Sequence, residues 1–219
     1  MKFYDCSTAP SPRLVRVFIA EKGIDIPVEQ IDLRHGGHLT DDFRAINPYC
    51  TVPVLELEDG TRLTSTQGCW RYLEEIHPEP ALLGTTAKEK ALIADRVWRI
   101  ENDGWQAAGE ALRNSAPGLK DRALTGPDNY AQIPDLGERG KARLPRFFRR
   151  LDDMLAGSAY VAGDRYSAAD IIAMVVVDFA GWVKIELPED AANARRWYAD
   201  VSARPSAKVV SGLLAAATC

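Results

Sequence analysis

Apolar spacing divides the chain into two halves. Lys2-Phe-Tyr-Asp-Cys6 is short, apolar and aromatic and reads as a strand. Leu14, Val15, Phe18 and Ile19 recur at helical spacing, after Pro10-Ser-Pro12 and before Gly23. Ser11 is the expected N-cap, Pro12 the first helical residue and Gly23 the stop. Pro27 to Ile31 is a second strand, so strand, helix and strand form a βαβ unit with parallel strands. A flexible His35-Gly-Gly-His38 loop and a short helix over Asp41 to Ile46 follow. Asn47 and Val52 each precede a proline and are pushed toward extended backbone; Val52-Pro53 is a candidate cis bond. Val54-Leu-Glu-Leu57 alternates as a strand does, and Asp59-Gly60 predicts a two-residue hairpin returning through Thr61-Arg-Leu63. Ser65 and Thr66 cap a helix from Thr66 to about Ile76.

From His77 to Thr86 the prolines and a glycine break all periodicity and predict a linker. Beyond it the pattern turns helical, with one irregular stretch. A long helix runs from Ala87 to about Asn114 with Ile93, Val97, Ile100 and Trp105 on one side. Residues Ala116 to Pro134 are irregular, and loops of that length are commonly functional. Asp135 to Leu155 turns Leu144, Phe147, Phe148, Leu151 and Leu155 inward, with Pro145 expected to kink or break it. Ser167-Ala-Ala-Asp170 is a capping box with Asp in the usual Glu position, opening an apolar helix to about Val183. Helices over Asp190–Ala203 and Ser206–Ala217 end the chain. The expected domains are 1–77 and 87–219, joined by 78–86.

Composition narrows the function classes. The chain has 219 residues, 46% hydrophobic and 26% charged, with a net charge of -4. That argues against a nucleic-acid partner. The longest apolar run, Ile171 to Ala180, is too short to span a membrane and contains Asp178. Met1 to Asp5 lacks the apolar core of a signal peptide, so a cytoplasmic location is expected. Cys6, Cys50, Cys69 and Cys219 form no C-x-x-C pair, and His35, His38 and His77 lack a framing cluster, so no metal is expected.

The stretch from Asn47 to Thr66 combines a bent strand entry with a hydroxyl-rich helix start. The Val52 N–H and C=O are placed to pair with a ligand backbone, and the helix start favours an anion. With Arg13 to Ile24 and with Gly163-Asp-Arg-Tyr-Ser-Ala-Ala-Asp170, this stretch resembles the cytosolic glutathione transferases over essentially the whole chain. The resemblance implies an α/β thioredoxin-like N-terminal domain with Pro53 in cis, an all-α C-terminal domain, and a homodimer. It implies an enzyme that makes glutathione a thiolate and joins it to a small hydrophobic electrophile, or uses it as reductant in peroxidase or disulfide chemistry. A non-catalytic ligand-binding protein and a glutathione-dependent isomerase or ether lyase are the alternatives.

By matching position, Val52 and Pro53 pair with the cysteinyl part of glutathione, Ser65 and Thr66 hold its γ-glutamyl carboxylate, and His38 lies near its glycyl carboxylate. The family commonly has Glu-Ser where Ser65-Thr66 stands, so a carboxylate for the ligand's ammonium is missing. Asp103, with Glu101 as competitor, matches an acidic residue that reaches the ammonium on the partner subunit. The common reactive serine falls on Ala9. Ser7, Thr8 and Ser11 are near, and Ser11 is the first choice for the catalytic hydroxyl, with a purely structural cap as its other role. Trp105 and Arg113 are candidates for the electrophile site, Trp105 also fitting a core position. Cys50 is either a loop thiol or a partner in a mixed disulfide.

Overall fold

A computed structural model describes residues 1–209. β1 (Lys2–Asp5), α1 (Pro10–Glu21) and β2 (Val28–Gln30) form the expected βαβ unit, with Phe3 opposite Val28 in a parallel pair. α1 is buried from Leu14 through Ile19, because the sheet takes one side and a later helix the other. α2 (Asp41–Ile46) is capped by Thr40, whose Oγ1 accepts from the Phe43 N–H. β3 (Val54–Glu56) pairs antiparallel with β1 and with β4 (Arg62–Leu63), giving the sheet order β2-β1-β3-β4. α3 (Thr66–Ile76) closes on α1: the Trp70 ring stacks on Phe18 at 5.8 Å and its Nε1 donates to the Leu14 carbonyl at 3.1 Å. Lys22, at the end of α1, is buried and donates to the His77 and Pro80 carbonyls at 2.7 and 2.6 Å. Its third partner is Glu74 at 2.5 Å.

The hairpin differs from the two-residue expectation. The Leu57 N–H donates to Thr61 O at 2.8 Å and the Gly60 N–H to Leu57 O at 3.1 Å. Residues 58–60 therefore form a three-residue loop, with Gly60 at φ 84° taking the left-handed position that such loops require.

The helical unit begins with α4 (Ala87–Ile100), where Thr86 and Glu89 form a capping box. The long helix expected to run to Asn114 is interrupted by a π-helical turn over Glu101–Trp105 before α5 (Gln106–Arg113). There Gly104 lies so close to Phe147 that a Cβ would sit 2.8 Å from the ring. α6 (Pro134–Leu155) runs unbroken through Pro145, held by buried Leu144, Phe147, Phe148, Leu151 and Leu155; packing outweighs the lost hydrogen bond. α7 (Ala168–Gly181) is buried almost all round, and its predicted capping box of Ser167 and Asp170 is present. α8 (Ala192–Ala203) follows. A 3₁₀ turn spans Pro205–Lys208 where the last helix was expected to begin; the rest of that expected helix, and Cys219, lie outside the described residues.

The chain separates into two compact units. One holds Met1–Pro80, Thr125–Pro127 and, of the described residues, those from Pro205 to Val209; the other holds Ala81–Leu124 and Asp128–Arg204. Among the described residues no helix is long and apolar enough to cross a membrane.

Candidate active site

The start of α1 is built differently from the sequence expectation. The helix begins at Pro10 with Ala9 as N-cap, so Ser11 is not the cap but lies inside the first turn. The pattern Ser11-Pro12 resembles a cap, but Ala9-Pro10 satisfies the same preference for proline at the first helical position two residues earlier. This has a chemical consequence. A helix leaves four N–H groups without intrahelical acceptors. At α1 the Ala9 N–H donates to Cys6 O at 2.9 Å, and Pro10 and Pro12 have none to give. Among the described residues Ser11 is the one of these four positions whose N–H is free, and its hydroxyl has no partner either. One residue thus offers two donors at the positive end of a helix dipole. Before the helix, both backbone groups of Ser7 are bonded while its hydroxyl has no partner among the described residues, and Thr8 Oγ1 sits 3.5 Å from Cys6 Sγ.

Val52 and the α1 entry are brought together through the core. Val52 packs in a cluster with Tyr4, Cys6, Ile31, Phe43 and Val54, and Ala9 packs against that same cluster. Val52-Pro53 is cis. Asn47, fully buried, shapes the preceding loop by donating to Thr51 O at 2.7 Å and accepting from the Tyr49 N–H at 3.0 Å. Among the described residues the Val52 N–H and C=O make no hydrogen bond, as a ligand-pairing edge requires. Cys50 takes φ 51° there and is 1% exposed.

At α3, Ser65 is the N-cap: its Oγ accepts from the Gly68 N–H at 3.1 Å, which leaves its hydroxyl proton to donate. Thr66, in the first turn, has neither its N–H nor its hydroxyl engaged among the described residues. His38 lies half-buried in a 3₁₀ turn over Gly37–Leu39. Ser11, His38, Val52, Pro53, Ser65 and Thr66 all belong to the first unit.

Asp103, Trp105 and Arg113 belong to the second unit. Asp103 accepts from Arg150 Nη1 at 2.7 Å, so its carboxylate already has a cation. Half-buried Trp105 packs its ring on Phe179 at 5.6 Å. Arg113 donates to Arg122 O at 2.8 Å, and burial lowers its pKa from the usual value. Burial pushes the Cys69 thiol up to about 12, which makes it inert at neutral pH. Cys6, Cys50 and Cys69 are free thiols, all buried.

The sequence reading missed Arg16 and Gln30, which bond the two backbone groups of Ser7, and Asp5, which links that pair. One signal was available: Arg16 interrupts the apolar run Leu14 to Ile19, where only a paired charge can be buried.

Comparison with known proteins decides what these pieces belong to. The family model for the glutathione S-transferase N-terminal domain matches residues 9–76, and that for the C-terminal domain matches residues 134–205. Glutathione S-transferase 2 of Saccharomyces cerevisiae is 33% identical over 211 residues, 95% of this chain and 88% of its own length. The chain belongs to the glutathione S-transferase family. A solved glutathione S-transferase domain-containing protein from Marinobacter aquaeolei VT8 superposes with a TM-score of 0.86 at 37% identity, covering 94% of this chain and 99% of that one. Maleylacetoacetate isomerase of Mus musculus is 28% identical over 196 residues, 88% of this chain and 77% of its own. This glutathione S-transferase accordingly has the thioredoxin-like and all-helical pair of domains and is a transferase-like enzyme.

Proposed function

We propose that this enzyme binds glutathione on its first unit, stabilises the thiolate at the start of α1, and adds it to a small hydrophobic electrophile. The observation that carries the reading is that, among the described residues, Ser11 is the one residue in the first turn of α1 with both its N–H and its hydroxyl unpartnered. A free thiol titrates near pKa ~8.5, and lowering that by about two units takes roughly 2.7 kcal/mol of preferential stabilisation of the anion. A backbone N–H, a hydroxyl and the helix dipole acting on one sulfur are of the right size for this. Ala9 contributes no donor, so Ser11 is the catalytic hydroxyl.

The remaining contacts follow the chemistry of the tripeptide. The Val52 backbone, held ahead of cis Pro53, pairs with the cysteinyl peptide group. Ser65 and Thr66 donate to the γ-glutamyl carboxylate at the α3 N-terminus. His38 faces the glycyl carboxylate. Asp103 faces the ammonium from a second subunit, in a homodimer acting in the cytoplasm in detoxification. Exposed Tyr49 and Trp98, at 67% and 54% exposure, suit self-association. Trp105 and Arg113 serve the electrophile.

Thr66→Val tests the binding half. Because this hydroxyl has no structural partner, the fold is expected to survive and glutathione affinity to fall roughly tenfold, the worth of one charge-assisted hydrogen bond. Undiminished affinity by calorimetry removes Thr66 from the site. The mouse isomerase relative favours a second reading, in which glutathione adds and leaves again without being consumed. Stoichiometric loss of glutathione thiol during turnover supports the transferase reading; turnover of an unsaturated diketo acid without thiol loss supports the isomerase.

A further inference from the structure

Both backbone polar groups of Ser7 are gripped by side chains outside the set assigned to glutathione. The Ser7 N–H donates to Gln30 Oε1 at 2.9 Å, and the Ser7 carbonyl accepts from Arg16 Nη2 at 3.2 Å. Gln30 Nε2 donates to Asp5 Oδ2 at 3.0 Å. Arg16 Nη1 reaches both Asp5 oxygens, at 2.6 and 2.7 Å. Ser7, Gln30, Asp5 and Arg16 therefore close a ring drawn from the ends of β1 and β2 and the second turn of α1. Asp5 is fully buried and Arg16 only 6% exposed, so little water competes for these bonds.

The place of this ring matters more than its strength. Ser7 is the second residue of the Cys6–Ala9 turn, closed by the Ala9 N–H on Cys6 O at 2.9 Å. Ala9 is the N-cap of α1 and has no side chain with which to fix the helix entry. In an ordinary helix a capping hydroxyl or carboxylate does that. The ring takes over the task, with one of its bonds to Ser7 coming from a charged donor. Ser11 lies immediately beyond the turn it holds.

We propose that Arg16 and Gln30 are positioning residues that hold the Cys6–Ala9 turn and thereby aim the Ser11 N–H and hydroxyl at the glutathione sulfur. This rests on the assignment of Ser11 to the thiolate. Small misplacement is enough to matter, since about 1 Å at a reacting centre can cost on the order of a hundredfold in rate.

Two substitutions separate positioning from folding. Arg16→Lys keeps a cation against Asp5, but its single ammonium cannot also span to the Ser7 carbonyl. Gln30→Ala releases the Ser7 N–H and leaves the Asp5–Arg16 pair intact. Each variant and the wild type are titrated for bound thiolate by ultraviolet absorbance, with glutathione affinity and the pH profile of kcat/KM measured alongside. The expected result is affinity within about threefold of wild type, a bound thiol pKa raised by about half to one unit, and kcat/KM at neutral pH lowered about 3–10-fold. The deficit should vanish above about pH 9, where the thiol ionises unaided. A wild-type thiol pKa in both variants overturns the proposal while leaving the Ser11 assignment standing, and so does a deficit that persists at high pH. If the wild type itself does not lower the thiol pKa, the Ser11 assignment and this proposal fall together. Should Arg16→Lys not fold, Gln30→Ala decides by the same readouts.

Discussion

Asp170 sets two opposing forces against each other inside the helical unit. It is fully buried. Its Oδ1 accepts from the Val161 N–H and from Trp197 Nε1, both at 2.9 Å. Its Oδ2 accepts from the Ser167 N–H at 2.9 Å and the Ser167 hydroxyl at 3.1 Å. Burial disfavours the carboxylate and the four donors favour it; burial wins, raising the pKa from 3.8 to about 6. Because the folded value lies above the unfolded one, the folded protein holds this proton longer. The associated stability is complete below the unfolded value and is lost as pH rises through about 6. A shift of this size corresponds to about 3 kcal/mol in full, of which about 2 kcal/mol falls between about pH 4.5 and pH 7.5. Asp170→Asn removes the titration while keeping the shape. It adds a pH-independent cost of about 1–3 kcal/mol, because the amide nitrogen turns donors toward donors. Urea unfolding followed by tryptophan fluorescence reads both, with Trp197 as a local reporter. The expected result is a stability difference, wild type minus variant, that shrinks by about 2 kcal/mol from about pH 4.5 to pH 7.5. A difference that grows with pH would mean that the four hydrogen bonds outweigh burial, and would refute the reasoning.

Other perturbations probe the packing that supports the site. Lys22→Met keeps the aliphatic stem but removes the ion pair with Glu74 and the ammonium that serves the carbonyls of His77 and Pro80; a loss of roughly 3 kcal/mol is expected, read as a melting-temperature fall of about 6–12 °C. A fall of under about 2 °C would show that water satisfies those groups. Gly140→Ala places a Cβ 2.5 Å from the Ala111 backbone nitrogen, forcing α5 and α6 apart. A net loss of about 1–3 kcal/mol is expected in chemical denaturation despite better helix propensity. Gly109→Ala, with nothing within 4 Å of the added carbon, should gain up to about 1 kcal/mol. Equal effects at the two glycines would contradict the close helix contact.

Much of the architecture is legible because local rules and packing agree. The apolar spacing of Leu14, Val15, Phe18 and Ile19 gives α1, and Ser65 before Thr66 gives the start of α3. Ser167 with Asp170 gives the start of α7. Misreadings arise where two local solutions compete. Ser11-Pro12 and Ala9-Pro10 both suit a helix start, and the tertiary hold on Ser7 selects the second. Glu101–Trp105 keeps a helical pattern, so its π turn depends on Gly104 meeting Phe147, a contact far apart in sequence. Asp59-Gly60 signals a turn but not its length, which the Leu57–Thr61 pairing sets. The ring around Ser7 is of the same long-range kind. Its members come from β1, α1 and β2, and no short motif joins them.

The central claim is that Ser11 at the α1 N-terminus makes bound glutathione a thiolate. Ultraviolet titration of the bound thiol, in the wild type and in Ser11→Ala, tests it most directly. The account predicts a wild-type thiol pKa about two units below the free value of about 8.5, and a rise of about one unit or more when the hydroxyl is removed. Glutathione that binds normally yet remains a thiol at neutral pH, or a titration unchanged in Ser11→Ala, would contradict it.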